Sequence, residues 1–251
     1  MGLSVSVFEV RGVLIDLGFP AAAAEVKELV QTVRPRGVMV THAHEDHSGN
    51  VEVAASAGIP VCISEATLRL VREPHPIALY RRFTWGTPQP LLAPLQSFEP
   101  DDLELLPAPG HSPDHHVVWD KQYGHLFAAD LFLGVKVRVA HAYEEPAATV
   151  RSLRIMAARQ PARMFDAHRG EVPNPVDALL AKADWMDELI GRVVEMSSEG
   201  MSVEDIGSRL LGKTTALDLL SRGDYSKLNL VEAILAERSR TAQQSVPSSR
   251  R

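Results

Sequence analysis

Thr41-His42-Ala43-His44-Glu45-Asp46-His47 gathers three imidazoles and two carboxylates directly behind the apolar run Val38-Met39-Val40. Side chains two apart on an extended segment face the same way, so His42 and His44 can reach one metal ion. Asp46 and His47 follow a change of direction and can address a neighbouring position. Glu45, between them, is expected to point away. Four ligands of this kind could fill one tetrahedral zinc site. Joined by ligands from elsewhere they would form a two-metal centre, which acts on oxygen-bearing substrates.

Three further candidates stand at turns and strand ends. Pro109-Gly110-His111-Ser112-Pro113 holds His111 in a turn bounded by glycine and proline. Asp130 closes the apolar segment LFAAD, and His168 follows Asp166-Ala167 at the end of another. Ligands at strand ends along one sheet edge suit an α/β architecture. Taken singly, each has a structural reading: a surface or core histidine, a turn carboxylate. The joint pattern carries the weight.

The elements that must position these residues alternate at short intervals. Residues 3–10 and 12–16 read as a hairpin, 21–33 as a helix and 37–41 as a strand. A helix over 50–58, a strand over 59–64 and a helix over 65–72 follow. Residues 73–100 carry six prolines and read as a long irregular excursion that builds a pocket wall. Strands resume at 103–106, 117–119, 126–129 and 163–167, with an amphipathic helix over 149–159. This order argues an α/β sandwich with helices covering sheet faces. From about Pro175 the pattern turns helical: 176–197, 202–211, 216–221 and 228–237. Ser202 reads as an N-cap. The expected divisions are a catalytic domain over 1–174, a helical subdomain over 175–240 and a disordered tail over 241–251.

The chain of 251 residues is 45% hydrophobic, enough for a sizeable core, and its net charge of −6 gives no reason to expect nucleic acid as a partner. The helix-turn-helix cadence of MSVEDIGSRLLGKTTALDLL lies in an acidic part, which favours packing over recognition. Cys62 is the only cysteine, so an internal disulfide is excluded and a cytoplasmic location is expected. The N-terminus reads as a strand, not a signal peptide, and no apolar run approaches the roughly 20 residues that span a bilayer. A homodimer stays open.

LIDLG, THAHEDHSGN, APGHSPDH, LFAADLFLG and AHRG, in that order over residues 3–170, resemble the metallo-β-lactamase superfamily, and within it the glyoxalase II-like hydrolases. The resemblance implies a four-layer αβ/βα sandwich with a small C-terminal helical extension and the site along one sandwich edge. It implies that His42, His44 and His111 bind one metal, that Asp46, His47 and His168 bind a second, and that Asp130 bridges them. Two divalent ions are expected, zinc first, with iron or manganese as alternatives. Asp46 doubles as a candidate proton acceptor. Asp114 departs from the family's usual glycine, and the C-terminal part lacks the substrate-binding pattern of true glyoxalase II.

The expected activity is hydrolysis, by a metal-bridging hydroxide, of an ester, thioester or lactone of a small metabolite. Competing readings are an iron-dependent persulfide dioxygenase, or other oxidoreductase of this fold, and a phosphodiesterase or ribonuclease. A scaffold that only binds is disfavoured by the complete ligand set. Around the centre, His115 reads as support behind the ligands, and Asp114 as a turn anchor or a specificity residue. Lys136, Arg138 and Tyr143 are candidates to receive an anionic group, with Tyr80, Phe83 and Trp85 as an apolar wall. His75 and His141 are candidate pocket residues.

Overall fold

The computed structural model describes residues 4–212 and 221–244. Its first sheet starts with a hairpin, β1 (Phe8–Val10) and β2 (Val13–Ile15), joined by Arg11 and Gly12, both at positive φ. Such a two-residue turn matches the twist of the strands it joins. Helix α1 (Ala23–Val33) returns the chain to β3 (Gly37–Val40), parallel to β2. One short turn, α2 (Glu45–Ser48), and α3 (Val51–Ser56) lead to β4 (Val61–Ile63), parallel to β3. Alternation along these strands assigns their two faces. Leu14, Val38 and Val40 pack with Val26, Val30, Val51 and Ala54 on the helical side, while Val13, Ile15 and Met39 face the second sheet. Strand β3, buried on both faces, is for that reason a continuous apolar run.

Helix α4 (Glu65–Arg72) is capped by Ser64, whose hydroxyl accepts from the Thr67 amide at 3.1 Å. The excursion over 73–100 is not wholly irregular, because Leu79–Trp85 forms helix α5. No side chain caps its start, and Leu79 and Phe83 are exposed. Neither a start signal nor an apolar face marked it; Gly86, at φ 94 just past its end, was the readable sign.

The second sheet comprises β5 (Leu103–Pro107), β6 (His116–Asp120), β7 (His125–Phe127), β9 (Arg163–Asp166) and β10 (Gly170–Val172). Their order across the sheet is β10-β9-β7-β6-β5. β8 (Ala140–His141) pairs outside it with β11 (Tyr225–Ser226). Leu103, Val118 and Phe127 meet the first sheet. Arg11 ties the β1–β2 turn to this sheet through Asp102 at 2.7 Å and Asp120 at 2.9 Å. On the far face Leu106, Val117, Leu126 and Met164 pack against α6 (Pro146–Ala158) and α7 (Pro175–Ser198). The same apolar cluster continues into α8 (Val203–Leu211) and α9 (Lys227–Gln244) through Ile206, Leu230 and Ile234.

The layers are thus helices, sheet, sheet, helices, an αβ/βα sandwich. Ser202 caps α8, accepting from the Asp205 amide at 3.1 Å. Helix α9 runs to Gln244, so the first residues of the expected tail continue a helix. The rest of that tail and the expected helix over 216–221, save Ser221, lie outside the described residues. Among the described residues no helix is long and apolar enough to cross a membrane.

Candidate metal centre

The candidate ligands all leave the carboxyl ends of strands. His42 and His44 follow β3, and His44 is the N-cap of the turn α2 that carries Asp46 and His47. His111 lies between β5 and β6, Asp130 just after β7, and His168 between β9 and β10. Gly110 brings the His111 turn against α6: its φ is 139, and a β-carbon there would lie 2.5 Å from the Thr149 amide nitrogen. Only glycine accepts both that backbone and that contact.

Two ligand groups result. Atoms of His42, His44, His111 and Asp130 lie within 4.8 Å of one another, as do those of Asp46, His47 and His168. The Asp130 carboxylate is divided between them. Its Oδ2 is 3.3 Å from His111 Nε2, and its Oδ1 is 3.2 Å from both His47 Nε2 and His168 Nε2. Asp46 Oδ2 is 3.5 Å from His168 Nε2. Ligands at zinc's usual bond lengths of about 2.0–2.1 Å make tetrahedron edges of roughly 3.3 Å, so the spacing fits metal coordination. Three buried atoms aimed inward, His42 Nε2, His47 Nε2 and Asp130 Oδ1, have no hydrogen-bond partner among the described residues. Buried polar atoms of this kind are costly unless something binds them. Together the two clusters form a dinuclear metal-binding site.

The outer ring nitrogens are held by the protein, which fixes tautomer and ring orientation. His47 Nδ1 donates to Asp16 Oδ2 at 2.8 Å, and His168 Nδ1 to the Ser4 carbonyl at 2.7 Å. His42 Nδ1 is 3.0 Å from the Thr41 hydroxyl, which itself donates to Asp16 Oδ2 at 2.8 Å. Asp16 Oδ1 also accepts from the Thr41 amide at 2.8 Å. His44 Nε2 meets the Tyr143 hydroxyl at 2.8 Å, leaving Nδ1 to face the centre. Burial, then neighbouring imidazoles, push the pKa of His42 and His44 well below its ordinary value, so both are neutral ligands. Burial also opposes charge on His47 and His168, but Asp130 and Asp46 outweigh it, with Asp16 adding to the effect at His47. They raise His47 well above its ordinary value and His168 to about 9.

Asp130 sits in a loop with left-handed backbone at Ala129 (φ 45) and Leu133 (φ 51). Three side chains brace it. His115 Nε2 accepts the Asp130 amide at 3.1 Å while its Nδ1 donates to the Ala108 carbonyl, which leaves no nitrogen for a metal. Asp166 accepts the Leu133 amide at 2.6 Å. Lys182 of α7 donates to the carbonyls of Leu131, at 2.8 Å, and Phe132. Burial lowers its pKa to about 8. Asp16, Asp166 and Lys182 escaped the sequence reading. Asp16 lies within LIDLG, whose strand-ending aspartate was the available signal; a lysine in a helical stretch offers none.

A cavity of about 640 Å³ opens beside His44 and Tyr143. Helix α4 and the segment after it supply Ala66, Leu70, Ile77 and Ala78, so the excursion does build a wall, with His75 in it. Glu45 and Arg81 form a bidentate buried pair at 2.6 Å on the same wall. Burial raises the Glu45 pKa against the pull of Arg81. Asp114 anchors the turn: its carboxylate accepts from the Ala43 amide at 2.9 Å and the Ser112 hydroxyl at 2.7 Å.

The structure does not bring the other expected pocket residues together. Lys136 and Arg138 are exposed and line no part of the cavity. Trp85 packs on Phe19 with ring centroids 5.2 Å apart, Tyr80 donates to Asp224 at 2.9 Å, and Phe83 is exposed. The apolar wall is aliphatic, because α5 turns its aromatic residues away from the cavity. His141 is buried behind Tyr143, stacked on its ring.

Residues 3–182 match the Metallo-beta-lactamase superfamily. Among solved structures, the metallo-beta-lactamase family protein TTHA1429 from Thermus thermophilus shares 17% identity. It aligns with a TM-score of 0.67 over 93% of this chain and 88% of its own. That coverage takes in C-terminal helices as well as the sandwich. A metallo-beta-lactamase from Erythrobacter litoralis, with β-mercaptoethanol in its active site, aligns at 0.53 and 17% identity over 72% of this chain and 83% of its own. TTHA1623, in a di-iron-bound form, aligns at 0.54 and 26% identity over 71% of this chain and 91% of its own. No curated protein matches the chain.

Proposed function

Because the chain belongs to the metallo-β-lactamase superfamily, we propose that its dinuclear centre hydrolyses an ester, thioester or lactone of a small metabolite. The observation that carries this reading is the division of the Asp130 carboxylate between two complete ligand groups. When bound, two divalent ions would supply a water acidic enough to attack at neutral pH and a positive pole for the carbonyl oxygen.

The residues divide the remaining work. His42, His44 and His111 would hold one ion, Asp46, His47 and His168 the other, and Asp130 lies within reach of both. Asp46, at the edge of its cluster, accepts the proton released by attack and passes it to the leaving group. Asp16, through His47 Nδ1 and the Thr41 hydroxyl, orients the His47 and His42 rings so that Nε2 of each faces the metal positions. The aliphatic wall receives the apolar part of the substrate and keeps bulk water from the reacting carbonyl. Residues 1–174 carry the chemistry, and the helices from 175 onward brace the Asp130 loop through Lys182. A cytoplasmic location remains part of the proposal.

Zinc is the first choice of metal. The di-iron form of TTHA1623 supports iron as the alternative, and with it an oxidoreductase reading. The protein loaded with zinc, and separately with iron, should be assayed against esters, thioesters, lactones, phosphodiesters and glutathione persulfide. Metal-dependent hydrolysis of a carbonyl substrate is expected. Activity on persulfide alone, with a single iron bound, would overturn the proposal.

A further inference from the structure

The cavity beside the centre contains ionisable groups of two kinds: those already satisfied by the protein and those that are not. Glu45 is neutralised by Arg81 through two hydrogen bonds of 2.6 Å. Asp114 accepts from an amide and a hydroxyl. Asp224 accepts from Tyr80 at 2.9 Å and lies 3.5 Å from His141. Arg69 and His75 also line the cavity, yet neither forms a side-chain hydrogen bond or ion pair among the described residues. Glu65 and Glu73, four residues either side of Arg69, are not paired with it.

The rest of this wall is apolar, from Ala66 and Leu70 on α4 to Ile77 and Ala78 beyond His75. Arg69 and His75 are both exposed to the cavity solvent, and their apolar neighbours do not compete for their donors, so an incoming anion meets them unsatisfied. Arg69 presents five such donors in a planar fork suited to a carboxylate, sulfonate or phosphate oxygen pair. His44, one of the candidate ligands, and Tyr143 line the same cavity.

We propose that Arg69, assisted by His75, is an anion-binding subsite, and that the substrate carries a carboxylate or phosphate group joined by an apolar body to the scissile carbonyl. This deepens the hydrolase reading and rests on it. It assigns a place to the anionic group that Lys136 and Arg138, both outside the cavity, do not fill.

Two measurements separate this inference from its premise. Calorimetry with octanesulfonate, a poor metal ligand, reads the subsite whether or not the protein is a hydrolase. The metal-loaded protein is expected to bind it about threefold more tightly than does Arg69→Met, with partial recovery in Arg69→Lys. Octan-1-ol should bind both alike. Equal octanesulfonate affinity in wild type and Arg69→Met would overturn the subsite.

The kinetic arm uses N-acetylcysteamine thioesters of hexanoate and of adipate, together with hexanoyl coenzyme A, so that the anion is offered on the acyl side and on the thiol side. Arg69→Met is expected to raise KM about threefold for at least one anionic member, with kcat retained and the neutral thioester unaffected. Turnover of all three substrates with KM values indifferent to Arg69 would overturn the inference while leaving the hydrolase reading in place. Arg69-dependent octanesulfonate binding with no hydrolysis of any ester, thioester or lactone would uphold the subsite and overturn the hydrolase.

Discussion

Asp16→Asn probes the centre without changing side-chain volume. Asp16 is buried, and its two oxygens have different duties: Oδ1 accepts the Thr41 amide at 2.8 Å, while Oδ2 lies 2.8 Å from both the Thr41 hydroxyl and His47 Nδ1. The backbone amide can only donate, so an asparagine must keep its oxygen there and turn its amino group towards His47. That group also only donates. In the neutral ring that a metal requires, His47 Nδ1 then becomes the acceptor and the one ring proton sits on Nε2, the atom facing Asp130 and the second metal position. A protonated nitrogen cannot be a ligand. Loss of such an outer partner costs about 10–100-fold in metal affinity, equivalent to about 1.4–2.7 kcal/mol. Calorimetric zinc titration should show the second site weakened by that factor, and nitrogen-detected spectra of the histidine rings should report the exchanged tautomer. Two zinc ions bound at wild-type affinity, or a zinc-loaded variant whose His47 ring is still protonated at Nδ1, would refute the reasoning.

Three other perturbations address the supporting structure. Glu45→Gln or Arg81→Met alone leaves a buried charge unpaired and should cost about 3–5 kcal/mol in urea unfolding, with the double variant recovering most of it; a single-variant loss below about 1 kcal/mol would count against the pair. Gly110→Ala should impair metal binding at the His111 cluster more than at the other, read by calorimetry, since both backbone strain and contact with Thr149 displace that turn. Lys182 has a folded pKa of about 8 against an ordinary 10.5, so the folded state binds fewer protons between those values. Its charge therefore destabilises the fold by about 3 kcal/mol below pH 8, and this penalty is relieved as the pH rises towards 10.5. Wild type should gain stability relative to Lys182→Met across that window; parallel pH profiles would contradict the assignment.

The sandwich was legible because its strands alternate cleanly. Leu14 and Val38 face helices while Val13 and Met39 face the other sheet, and that period-two pattern is written in the residues themselves. The ligand positions were legible for a related reason: the strand ends that carry them are bounded by glycine, proline and aspartate. What surrounds the ligands was less so. Asp16, Asp166 and Lys182 act through contacts across 31 to 51 residues of chain; the strand end of LIDLG is a faint local mark of the first, and a lysine in a helical stretch carries none. The sequence marks the segment that builds the cavity wall, and His75 in it, but not which face of α5 turns inward, because that orientation is set by tertiary packing. Tyr80, Phe83 and Trp85 turn away from the space they were expected to line.

The central claim is that two metals, held by seven residues, perform hydrolysis. It is tested most directly by titrating metal-free protein with zinc while following turnover of whichever ester, thioester or lactone it accepts. Turnover should rise to its plateau at two equivalents, and His111→Ala should lose metal and activity together. A His111→Ala protein that retains two zinc ions and turns over at the wild-type rate would contradict the account.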